Sequence, residues 1–91
     1  MTVSEYVINV ITNFPKEYYN VVIFWKGPFG GLNKRTGFFE EYLEAEEFGD
    51  HLNKIYHKMD MPYVIYLTEG NNRAKELYVQ NPEQLLNANV G

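Results

Sequence analysis

The chain has no cysteine, which excludes disulfide bridges, thiolate metal sites and cysteine nucleophiles and fits a reducing compartment. Serine occurs once, at Ser4 in an expected helix start, so no Ser-His-Asp arrangement is suggested. The longest apolar runs, such as Val21 to Trp25, are far too short to cross a bilayer, which takes about 20 residues. The opening Met1-Thr2-Val3-Ser4-Glu5-Tyr6 offers neither a basic nor an apolar signal region. No secretory signal is therefore expected, and the expected location is cytoplasmic. Bases are scarce, with eight Lys and Arg against twelve Asp and Glu, a net charge of −4. Phosphate contacts dominate non-specific nucleic-acid affinity, so direct nucleic-acid binding is not expected.

What is present suits one folded domain. Hydrophobic residues make up 45% of the 91 positions and aromatic residues 16%, against the composition of disordered chains. A chain this short buries only about 60–65% of its unfolded surface, so its core must be dense. Its charges are unevenly placed. Glu40, Glu41, Glu44, Glu46, Glu47 and Asp50 fall together with no base among them, whereas Lys26, Lys34 and Arg35 bracket Gly27-Pro28-Phe29-Gly30-Gly31.

Local patterns predict the elements. Thr2 and Glu5 form a capping box, followed by Val3, Val7, Val10, Ile11 and Phe14 at helical spacing; Pro15 ends that helix. Val21-Val22-Ile23-Phe24-Trp25 does not alternate and reads as a central strand buried on both faces. Thr36 to Glu41 is expected to pair back on it. Phe38, Tyr42, Ala45, Phe48, Leu52, Ile55, Tyr56 and Met59 also fit one helical stripe. Two readings follow, one helix over 38–59 or a strand to about Glu41 and a helix from Leu43 or Glu44. The second is adopted because Gly37-Phe38-Phe39 carries no helix cap. Gly49 inside that helix suggests a packing constraint. Tyr63 to Thr68 and Arg73 to Val79 are the next strands, with a turn over Glu69-Gly70-Asn71-Asn72. Asn81-Pro82 opens a short helix, and Asn87 to Gly91 is expected to fray.

The expected fold is α+β, in the order α-β-β-α-β-β plus a short C-terminal helix. A four-stranded antiparallel sheet in the order 2-1-3-4 puts both apolar strands in the middle. Two helices on one face would complete a two-layer sandwich.

No catalytic centre is legible. His51 and His57 fall on different helix faces and the H-E-x-x-H spacing is missing, so no metal or other cofactor is expected. The carboxylates show no split into an acid and a base. The glycine stretch fails the P-loop spacing, since Leu32 and Asn33 stand where Gly and Lys belong. Gly27, Gly30, Gly31, Lys34 and Arg35 remain a candidate anion- or nucleotide-binding loop. The leading expectation is a non-catalytic protein-binding module. Glu40, Glu44, Glu46, Glu47 and Asp50 would meet a basic surface of a larger protein, with Lys26, Lys34 and Arg35 as a second contact. Tyr18 and Tyr19 are further interface candidates. One concrete form is a phage or mobile-element inhibitor occupying a host protein's nucleic-acid-binding surface. A homodimer joined through a sheet face or edge is the third expectation.

Overall fold

The computed structural model describes residues 1–70 and 73–91. They form helix α1 (Val3–Thr12), strands β1 (Tyr19–Lys26) and β2 (Leu32–Phe39), helix α2 (Tyr42–Lys58), strands β3 (Tyr63–Glu69) and β4 (Arg73–Gln80), and the single turn α3 (Pro82–Leu85). The capping box at α1 is made in both directions, Glu5 N–H to Thr2 Oγ1 at 3.1 Å and Thr2 N–H to Glu5 Oε1 at 2.9 Å. The strands form one antiparallel sheet in the order β2-β1-β3-β4. The α+β class, the element order and the sheet order agree with the pattern in the chain. The expected turn at Asn71-Asn72 lies outside the described residues.

The helices are not on one face. Val21, Ile23, Ile65 and Leu67 pack with Ala45, Leu52 and Tyr56 of α2. Val22, Phe24 and Val64 pack with Val3, Val7 and Ile11 of α1 and Leu85 of α3. The sheet therefore lies between two helical layers, which corrects the two-layer sandwich. The reason is the lack of alternation in β1 and β3. With both helices on one side, Val22, Phe24 and Val64 would stand in water, forfeiting about 1.5–3 kcal/mol each.

Two boundaries differ from expectation and one open choice is settled. β2 begins at Leu32, so the turn is only Gly27 to Gly31 and Lys34, Arg35 and Thr36 are strand residues. Residues 38–43 divide as strand to Phe39 and helix from Tyr42, which resolves the ambiguity in favour of strand then helix. The C-terminal segment is tied down rather than frayed. Ala88 and Val90 pack on the α1 core, Asn89 N–H donates to Gly30 O at 2.8 Å and Leu32 N–H donates to Asn89 O at 2.9 Å. At α3, Asn81 adopts a left-handed backbone (φ 49°) and its side chain caps nothing.

Gly49 lies against the sheet, where a Cβ would stand 2.6 Å from Leu77 Cδ1. Leu77 reaches α2 because the register slips between Ile65 and Tyr66. This bulge puts an extra residue in β4. Both Leu77 and Tyr78 thereby face α2, Leu77 against the core and Tyr78 donating to Asp50 Oδ1 at 2.5 Å.

Candidate functional site

Helix α2 buries Ala45, Gly49, Leu52 and Tyr56, and 3.6-residue periodicity sorts its acids around that stripe. Glu44 and Glu47 are exposed on the solvent side, beside an exposed Leu43. Glu46 and Asp50 lean toward β4 and line a groove with Lys75 and Tyr78. Asp50 is thus a structural partner. Its carboxylate holds the Tyr78 phenol above the ordinary range, mainly through their hydrogen bond. The four helix acids are therefore two pairs on two flanks rather than one patch, with Glu41 at the N-cap and Glu40 before it.

The basic candidates separate as well. Adjacent strand residues face opposite ways, so Lys34, registered with Phe24, points to the α1 side beside Asn9, Val10, Asn13 and Phe14. Arg35 is registered with Ile23 and points to the α2 side, its guanidinium 5.8 Å from the centre of the Phe48 ring. Lys26 is half-buried at the base of the turn. Within the turn, Gly27 N–H donates to Gly31 O at 2.9 Å and Gly30 N–H to Gly27 O at 3.0 Å. Two of the amides an anion nest would use are already committed, and no pair of cations converges on the loop.

Chain direction puts these groups at opposite ends. The Gly27–Gly31 turn and the end of α2 share one end of the sheet, while the start of α2 and the end of β2 share the other. A 17-residue helix spans roughly 25 Å, well beyond the ~8 Å over which exposed charges act at physiological salt. The two ends are electrostatically separate surfaces.

At the acidic end the fold joins residues that are far apart in the chain. Tyr18, Tyr19, Glu40, Glu69 and Arg73, with Lys16 and Glu17, line a polar cleft of about 650 Å³. Tyr19 is part of β1 and packs edge-on against Tyr42 at 5.7 Å; Tyr18 lies 6.5 Å from Phe38. Both tyrosines are half-buried walls rather than free loop residues. Glu69 and Arg73, paired at the ends of β3 and β4, carried no signal as site residues in the chain. Only the antiparallel pairing of β3 with β4 brings them here.

Among the described residues no three His, Asp or Glu side chains are gathered as a metal site, and no helix is long and apolar enough to cross a membrane. No protein-family model, curated protein or solved structure matches the chain.

Proposed function

We propose that this chain is a non-catalytic protein-binding module whose acidic end docks on a basic surface of a larger protein. The observation that carries the reading is the cleft where Tyr18 and Tyr19 meet Glu17, Glu40 and Glu69, carboxylates that outnumber Lys16 and Arg73, at the end where α2 begins with Glu44 and Glu47 exposed. Tyrosine faces and carboxylates are the groups that receive Lys and Arg side chains, by cation–π contact and by charge-assisted hydrogen bonding. The field at this end would also speed encounter with a cationic partner. The basic turn lies too far away to belong to the same contact. A protein surface built to hold nucleic acid is one cationic partner of this kind, and an inhibitor from a phage or mobile element is one form such a module takes.

The test is binding by a Glu40→Lys, Glu44→Lys, Glu47→Lys variant. Asp50 is left intact because it accepts the Tyr78 hydrogen bond. A partner recovered from cognate lysate after nuclease treatment should lose at least tenfold in affinity for the variant, and wild-type binding should weaken with salt. Undiminished binding by the folded variant would sink the reading.

A further inference from the structure

At the other end of the molecule, Phe29 is 98% exposed at the tip of a turn that is held rather than loose. The turn is closed internally by the Gly27–Gly31 and Gly27–Gly30 hydrogen bonds and from outside by Asn89. Gly30, at φ 89°, takes a backbone conformation that few other residues accept. The turn's backbone is thus held in place while the Phe29 ring stands fully in water.

Immediately beside the turn, on the α1 side, lies a hollow of about 440 Å³ walled by Met1, Tyr6, Asn9, Leu32, Val90 and Gly91. Leu32, three residues after Phe29, forms part of its wall. Most of the wall is apolar side chain, and its size lies at the small end of the ~300–1,000 Å³ typical of ligand sites, roomy for one aromatic ring.

We infer that Phe29 of one copy of this chain seats in the Tyr6–Leu32–Val90 hollow of a second copy, and the reverse, in a two-fold dimer. Knob and hollow lie at the same end and only three residues apart, so one rotation axis satisfies both contacts and the assembly closes. Two rings bury about 150–250 Å² each, which with the receiving walls remains under the ~1,200 Å² of stable interfaces. The dimer is therefore weak and concentration-dependent. Its contacts lie at the turn end of the sheet, away from the acidic end, so it stands independently of the protein-binding reading. Both acidic ends stay open in the pair, and a partner with repeated basic sites gains avidity.

Sedimentation of the wild type into the millimolar range should show a monomer–dimer equilibrium. Phe29→Ala, at a position with no packing role, and Asn9→Trp, an exposed helix position that fills the hollow, should each weaken it at least tenfold. In a mixture of isotope-labelled and unlabelled chains, the Phe29 ring should show intermolecular NOEs to the Val90 methyls. A wild type that stays monomeric overturns the inference and leaves the ring for a different protein. A dimer indifferent to both variants overturns it too, and points to another surface.

Discussion

Asn20 shows how one buried polar side chain fastens the connection between α1 and β1. It is 2% exposed, and its Nδ2 donates to Pro15 O at 2.9 Å, Tyr18 O at 3.2 Å and Thr68 Oγ1 at 3.1 Å. Its Oδ1 is buried without a partner among the described residues, a cost of about 1–3 kcal/mol that the bonds of the two amide hydrogens, one of them shared, offset. Asn20→Ala should lower stability by about 2–4 kcal/mol in denaturant unfolding, because it orphans two backbone carbonyls and leaves a void. Gly49 invites a cycle rather than a single substitution. Alanine there gains about 1 kcal/mol of helix propensity but must displace Leu77 Cδ1, at about 0.5–1.5 kcal/mol for a strained rotamer. Gly49→Ala alone should then change stability by less than about 1 kcal/mol. In a Leu77→Ala background, where the obstacle is gone, it should stabilise by about 1 kcal/mol.

Among the elements, α2 and β4 depend on each other. β4 is an edge strand whose side chains are mostly exposed. Its hold on α2 comes through Leu77 and Tyr78, which the bulge turns to the same side. The Tyr78–Asp50 hydrogen bond exists only while the phenol keeps its proton. Its folded pKa is raised above the ordinary phenol value of about 10. The contribution of this bond is accordingly complete below that value and is lost as pH rises through the folded pKa. Ultraviolet or NMR titration should find Tyr78 ionising above the ordinary phenol range, and Asp50→Ala, which removes the acceptor, should bring it down. No downward change in Asp50→Ala would mean that the Asp50 side chain is not the cause. At α1 the corresponding device is the Thr2–Glu5 box, where the Thr2 N–H holds the Glu5 carboxyl below its ordinary pKa.

Across the full 34 Å length of the domain, the fold builds two separated surfaces, one charged and one apolar. One end combines carboxylates with tyrosine walls; the other presents a braced aromatic knob beside an apolar hollow. The first predicts salt-weakened binding to a cationic protein, lost on reversing Glu40, Glu44 and Glu47. The second predicts self-association that depends on Phe29. Neither substitution set touches the other surface, so failure of one prediction leaves the other standing.

Much of this architecture is readable along the chain because it rests on neighbours in sequence. The α1 cap, the apolar runs of β1 and β3, the helical stripe of α2 and the strand order all follow from local periodicity and from which strands need covering on both sides. The same runs imply a helix on each face, since β1 and β3 are apolar throughout, and this is where the two-layer expectation departs from their logic. Residues distant in sequence meet only through packing. Pairing of β1 with β2 converts Lys34 and Arg35 from a basic loop into side chains on opposite faces, because consecutive strand residues must alternate. Chain direction separates the acidic helix start from the glycine turn by the length of the sheet. The Gly31–Asn89 bridge anchors a tail whose composition reads as frayed, since a backbone hydrogen bond to a distant loop leaves no trace in local pattern. The elements come from short-range periodicity; the two surfaces come from long-range contacts, and those depend on which way each strand runs.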